Sequence, residues 1–223
     1  MLYIVATPIG NLKDITLRAL EILKSADFVL AEDTRITRKL LSHYKIGKPL
    51  VSYREHSPLK IYNRILRLLR EGKNLALVTD AGTPGVSDPA AKLVNFLSDE
   101  LKKNFQISPI PGPSALTAAL SVSGIKGNDF VFLGFPPAKN KRRKFFDSLK
   151  KYDLPVVLYE SPHRFSRTLN DLKNVFGEKK EMVICRELTK IYEEILRGTI
   201  QEIDEYFKNN SEKIKGEFVL ILN

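Results

Sequence analysis

Over residues 1–124 the sequence keeps returning to one pattern: a short apolar run, a polar or glycine- and proline-bearing turn, then apolar residues at helical spacing. The apolar runs fall at 2–6, 28–31, 50–53, 75–79 and 106–110. Strands alternating with helices in this way predict a largely parallel sheet covered on both faces. The helical stripes are Leu17, Leu20 and Leu23 behind Thr16, then Leu40 and Leu41, then Ile61, Ile65, Leu68 and Leu69, with Arg64, Arg67 and Arg70 off that face and Gly72 as the stop. Leu93, Val94, Leu97 and Leu101 form the next, and Leu116, Ala119 and Leu120, closed by Gly124, the last of this half.

The second half repeats the alternation less regularly, with strands predicted at 130–134, 155–159, 182–188, 194–197 and 218–222. A basic helix follows the first of these, Ser161-Pro162 opens a helix bearing Phe165, Leu169 and Leu172, and a short helix lies around 202–207. Two connections of hairpin length predict a mixed sheet. The expected fold is α/β in two α/β domains, residues 1–118 with a mostly parallel sheet and residues 119–223 with a mixed one, the boundary falling within 115–125.

The turn at 77–89, LVTDAGTPGVSDP, is the densest of the strand-end loops. Gly82 and Gly85 allow close backbone approach, Asp80, Thr83 and Ser87 offer polar groups, and Asp88-Pro89 reads as an N-cap followed by proline at the first helical position. A well-capped structural turn explains this stretch on its own. But TPIGN, EDTR, PGPSA, FLGF, YESPHR and RELTK also fall at strand ends, and such loops converge at one edge of an α/β sheet, where ligands bind. PGPSA also places amides at a helix start, which suits a carboxylate or phosphate.

Composition narrows the chemistry. The chain has 223 residues, 43% hydrophobic, and 36 Lys and Arg against 26 Asp and Glu, a net charge of +10 that favours a polyanionic partner. Five positive charges crowd Lys139, Lys141, Arg142, Arg143 and Lys144, where a following helix would gain nothing from cations at its positive end; phosphate contacts are their natural use, a basic solvated face the alternative. A single cysteine, Cys185, rules out an internal disulfide, and three separated histidines offer no metal spacing. GxxxxGK[ST], GxGxxG after the first strand and GxSxG are all absent. No leader or membrane-length apolar run is legible, so a soluble cytoplasmic protein is expected.

TPIGNLKDIT, AEDTRITRKLL, LVTDAGTPGVSDP, PGPSALTAALSVSG, FLGFPPAK, YESPHR, RELTK and GEFVLIL, in this order and spacing, closely resemble the bacterial 16S rRNA cytidine-2'-O-ribose methyltransferases of the tetrapyrrole methylase superfamily. The resemblance spans nearly the whole chain. It implies a homodimer that methylates a cytidine ribose in the decoding region of 16S rRNA or the 30S subunit, without metal or membrane. It also implies S-adenosylmethionine folded in a cleft between the domains, bound without the glycine-rich fingerprint. By position, Pro8, Ile9 and Gly10 match the first cofactor loop, Thr83, Val86 and Ser87 the loop facing the methionine part, Ser114 and Ala115 the helix-start contact, and Tyr159 and Leu188 the residues flanking the adenosine. The chain departs from relatives that read SDPG and HN in having Asp88-Pro89-Ala90 and His56-Ser57, and ends at Asn223 where longer relatives carry a helical tail.

For the proton of the ribose hydroxyl, Glu32 and Asp33 are the preferred acceptors, ending a strand beside Arg35, a candidate phosphate ligand; His56 and Glu160 are alternatives, as is an N-cap and salt-bridge role for Glu32 and Asp33. RNA is expected at Arg35, Lys139, Lys141, Arg142, Arg143, Lys144 and Arg164. The rival readings are a tetrapyrrole or protein methylase of the same superfamily and a non-enzymatic RNA-binding or ribosome-assembly protein.

Overall fold

The apolar runs of the first half pair as a parallel sheet in the order β3-β2-β4-β1-β5, built from β1 (Leu2–Val5), β2 (Phe28–Ala31), β3 (Leu50–Ser52), β4 (Leu75–Val78) and β5 (Ile107–Ile110). The structure, a computed structural model, describes residues 1–98, 104–125 and 128–223. Every residue of β4 is buried, as a central strand covered on both faces requires. At the edge, β5 carries Pro109, tolerable there because a strand paired on one side can spare an N–H.

Alternate strand residues feed two cores. On one face α1 (Leu17–Ser25) and α2 (Thr34–His43) bury Ala19, Leu23 and Leu41 against Val29, Ala76 and Val78. On the other, α3 (Leu59–Arg70) and α4 (Ala90–Phe96) bury Ile65, Leu68, Leu69, Ala90 and Leu93 against Leu30, Leu75 and Leu77. Leu17 does not join its predicted stripe and is 79% exposed. It sits two positions, roughly 200° of helical rotation, from Ala19, and the stripe is carried by Ala19, Leu23 and in part Leu20. Leu101, expected to extend the α4 stripe, lies outside the described residues.

The chain divides into two compact units, Met1–Ser114 and Ala115–Asn223. The second opens with α5 (Ala115–Ser123) and holds a mixed sheet in the order β6-β7-β10-β8-β9: β6 (Val131–Gly134), β7 (Val156–Glu160), β8 (Glu181–Arg186), β9 (Glu194–Thr199) and β10 (Phe218–Leu222). Among the described residues of this sheet only β6 and β7 run parallel; β10 inserts antiparallel between β7 and β8. One direct hairpin, β8–β9, replaces the two expected, because α8 (Ile200–Asn209) separates β9 from β10. That helix starts earlier than its periodicity suggested, through a capping box of Thr199 and Glu202. Between β6 and β7 lies α6 (Arg142–Ser148), and between β7 and β8 the long α7 (Pro162–Phe176).

The core of the second unit centres on Phe165 of α7, stacked on Phe218 at 4.1 Å and edge-on to Phe207 at 4.7 Å. Cys185, in β8, is fully buried, and burial pushes its thiol up to about 11. No helix among the described residues is long and apolar enough to cross a membrane. Phe165→Ala is expected to lower the unfolding free energy by about 3–5 kcal/mol in urea titration, while Leu17→Ala, at an exposed site, stays within roughly 0.5 kcal/mol of wild type.

Candidate functional site

In the first sheet β4 lies between β2 and β1, whose outgoing helices α2 and α1 cover one face, whereas β4 itself leads into α4 on the other. Neighbouring strands whose exits part to opposite faces leave a crevice at their carboxyl ends. The turns after β1, β4 and β5 meet there. Thr7 and Gly82 exchange backbone hydrogen bonds of 2.9 and 3.0 Å, and the Thr7 hydroxyl donates to the Thr79 carbonyl at 3.3 Å. Thr83 donates its hydroxyl to the Pro113 carbonyl at 3.0 Å, and the Ala6 amide donates to Ile110 at 3.2 Å.

Glycine suits two points of this knot. Gly82 has φ +81°, a backbone setting that favours glycine, with Ile9 Cγ2 3.4 Å from where a Cβ would stand; at Gly112 a Cβ would press to 3.0 Å on that of Ala6. The loop that carries Pro8, Ile9 and Gly10 thus leaves from a residue bridged to Gly82, with Ile9 beside it, and Gly82 immediately precedes Thr83. The remainder of that turn wraps around Asp88, whose carboxylate accepts from the amides of Gly85 (2.9 and 2.8 Å), Val86 (3.2 Å) and Ala90 (2.8 Å). Asp88 therefore does more than the N-cap expected of it: the cap position is Pro89, and Asp88 ties the turn to the helix start. Ser87 is held at φ +63°, a strained setting for a residue with a side chain.

The end of β2 joins this edge. The Asp33 amide donates to Asp80 Oδ1 at 2.9 Å, and the Glu32 carboxylate accepts from the backbone of Asp80. Partial burial, then the charges of Asp80, Asp88 and Glu55, raise the Glu32 pKa above the ordinary carboxylate value. Asp33 behaves oppositely. It caps α2 through the Arg35 amide (2.8 Å) and grips the Arg35 guanidinium at 2.5–3.1 Å, and this bonding holds its carboxyl far below the usual range. So the two adjacent acids separate: Asp33 is committed to cap and ion pair, and Glu32 holds a proton more readily than an ordinary carboxylate. His56 is exposed in the turn after β3. Arg54, not singled out by the sequence, donates to the Glu32 carbonyl at 3.1 Å.

Ser114 and Ala115 lie where the first unit passes into α5. In the second unit Tyr159 is half-buried, its ring 4.9 Å from Phe132 and 5.5 Å from Phe135, and Leu188 is nearly covered beyond the end of β8. Glu160 is buried and fully engaged, accepting from the Ser161 amide (2.8 Å), the Thr168 hydroxyl (2.5 Å) and Arg164 (2.8 Å). It holds structure and is not placed as a free base. The basic tract is not uniform either. Arg142 turns inward, 3% exposed, and donates to Asp171 (2.7 Å), Thr168 (2.7 Å) and the Pro137 carbonyl (3.0 Å), so it offers nothing to a phosphate. Arg164 is similarly tied to Glu160 and Pro136. Lys139, Lys141, Arg143 and Lys144 remain exposed, and Arg35 is exposed while bound to Asp33. Among the described residues no group of three or more His, Cys, Asp or Glu is placed to hold a metal ion.

Comparison with known proteins agrees with this architecture. Residues 1–204 match the family of tetrapyrrole (corrin/porphyrin) methylases. The sequence is 46% identical over 222 residues to the ribosomal RNA small subunit methyltransferase I of Neisseria meningitidis serogroup B, covering 99% of this chain and 75% of that protein. It is 45% identical to the Synechocystis protein of the same name (100% and 78% covered) and 45% identical to that of Thermotoga maritima (100% and 97%). Among solved structures, the methyltransferase CobJ superposes with a TM-score of 0.69 at 18% identity, covering 100% of this chain and 93% of that one. Cobalt precorrin-4 methyltransferase, CbiF, does so with 0.69 at 19%, covering 100% and 94%. At that identity the likeness is one of fold alone.

The knot of turns yields a direct test. Gly82→Ala, at positive φ and against Ile9, is expected to cost about 1–2 kcal/mol of stability in urea titration, whereas Gly47→Ala, with open space around its Cβ, is near neutral.

Proposed function

Since the chain belongs to the tetrapyrrole methylases and, among them, to the ribosomal RNA small subunit methyltransferase I family, we propose that it is an S-adenosylmethionine-dependent methyltransferase of 16S rRNA. The finer reading is transfer to the ribose 2'-oxygen of cytidine 1402 in the decoding region, by a cytoplasmic homodimer acting on 16S rRNA or the 30S subunit. The observation that carries the proposal is the knot of three strand-end turns at the switch point of the first sheet. It offers a ligand site built from backbone and small side chains, in a chain that lacks the GxGxxG loop.

The residues present fit this cofactor. Pro8, Ile9, Gly10, Thr83, Val86 and Ser87 supply backbone groups and apolar surface for its methionine part, with Ser114 and Ala115 at the helix start. The carboxylates of Glu32, Asp80 and Asp88 lend this edge a negative potential in a chain of net charge +10, which suits a cationic sulfonium. Tyr159 and Leu188 are assigned to the adenosine by the family resemblance. When bound, the cofactor supplies a methyl group already activated by its sulfonium.

What remains for the protein is alignment and a proton acceptor. Glu32 takes that role, its raised pKa bringing its basicity closer to working pH, while Asp33, held by Arg35, is too weak a base. Lys139, Lys141, Arg143 and Lys144 meet the RNA phosphates, and Arg142 holds their segment from behind.

Incubating the protein with 30S subunits lacking the modification and labelled S-adenosylmethionine is expected to place one methyl on that cytidine ribose; a methyl on a base, or none, overturns the reading. Glu32→Gln is expected to lower kcat about 100-fold with cofactor binding retained. Because the base must be ionised, the wild-type rate rises with pH through the raised Glu32 ionisation, and Asp80→Asn, removing a neighbouring negative charge, moves that rise to lower pH. Reversing Lys139, Lys141 and Lys144 to Glu is expected to flatten the salt dependence of RNA binding, by roughly one unit of slope for every phosphate that the variant no longer neutralises.

A further inference from the structure

One aromatic ring in the second unit is held far more firmly than its exposure explains. β6 ends at Gly134, where φ is +64° and the register with β7 shifts, and the chain then throws Phe135 outward, 50% exposed. Its ring meets Tyr159 at 5.5 Å and 64°, and the Arg164 guanidinium lies over it, 5.8 Å from the ring centre. The next three carbonyls are each claimed by an arginine: Pro136 by Arg164 (3.0 Å), Pro137 by Arg142 (3.0 Å) and Ala138 by Arg167 (3.3 Å). Two of those arginines are themselves anchored, Arg142 by Asp171 and Thr168, and Arg164 by the buried Glu160. Two prolines further limit the backbone.

A segment that only joined β6 to α6 would not need charged hydrogen bonds on successive carbonyls, nor a phenyl ring facing water. The arrangement presents a ring in fixed orientation, with the exposed Lys139, Lys141, Arg143 and Lys144 following within the same segment. A fixed π-face followed by cations is the combination that binds single-stranded nucleic acid, bases stacking on the ring while phosphates meet the charges. We propose that Phe135 is the stacking platform for an unstacked base of the RNA substrate. The proposal rests on the reading that RNA is the substrate, and it gives that substrate a nucleotide drawn out of its stack. Arg142, Arg164 and Arg167 act as positioning residues that keep the platform in place.

The test is equilibrium binding of a short, fluorescein-labelled, cytidine-containing single-stranded RNA to the full chain, beside methyl transfer to 30S subunits. Phe135→Ala and Phe135→Leu are each expected to weaken RNA binding roughly tenfold and to raise KM for the subunit with kcat little changed, while Phe135→Trp preserves both and calorimetry shows unaltered cofactor affinity. Wild-type binding by Phe135→Leu would reduce the ring to apolar bulk and overturn the proposal. So would a loss of cofactor affinity matching the loss of RNA, which would assign the ring to the adenosine, or dissociation of an oligomer, which would assign it to a second copy. Should wild type bind RNA through Phe135 but transfer no methyl, the enzymatic reading fails while the platform stands.

Discussion

The first unit depends on one reciprocal pair of backbone hydrogen bonds, between Thr7 and Gly82. β1 and β4 are neighbours, but beyond their last residues the chain leaves toward opposite faces of the sheet, and nothing in the strands themselves would keep the two turns together. The Thr7–Gly82 bridge extends the pairing past the sheet in the opposite sense, antiparallel instead of parallel. With Thr83 on Pro113 it gathers three turns that are distant in sequence into one polar edge. The bridge requires a left-handed backbone at position 82, which is why glycine occupies it.

Electrostatics divides the labour along the chain. Carboxylates collect around the end of β4, where Asp80 receives the Asp33 amide and its charge helps lift Glu32. Cations collect in the segment after β6, but the fold sorts them. Arg142 is taken inside to hold carbonyls and only its neighbours stay in water. A buried arginine with its donors satisfied costs less than its desolvation suggests, because Asp171 and Thr168 replace the lost water.

Much of this was legible in the residues. Period and turn chemistry gave both sheets, since the strands end where glycine, proline and polar residues begin, and the convergence of loops followed from α/β topology. What pattern could not show was direction. Leu17 looked like stripe and faces water, because the buried face of α1 is centred on Ala19 and Leu23, on the other side of the helix from it. Arg142 looked like its neighbours, and only the positions of Thr168 and Asp171, on a helix more than twenty residues further on, make it structural. Asp33 and Glu32 are adjacent and chemically alike; their opposite proton affinities come from the Arg35 bonds on one and, on the other, from burial first and then the neighbouring charges of Asp80 and Asp88. The signal for Phe135 was present in FLGFPP, an aromatic residue set between a glycine and two prolines, yet its anchoring arginines lie in α6 and α7.

The lone thiol of Cys185 has a consequence of its own. It sits in β8, sealed from solvent and with almost no thiolate at neutral pH, so an alkylating reagent can reach it only when the second sheet comes apart. Labelling kinetics at this one atom therefore time the opening of the sheet that buries it. The chain thus carries a built-in clock for the strand that holds Cys185, with no engineered cysteine needed to install it.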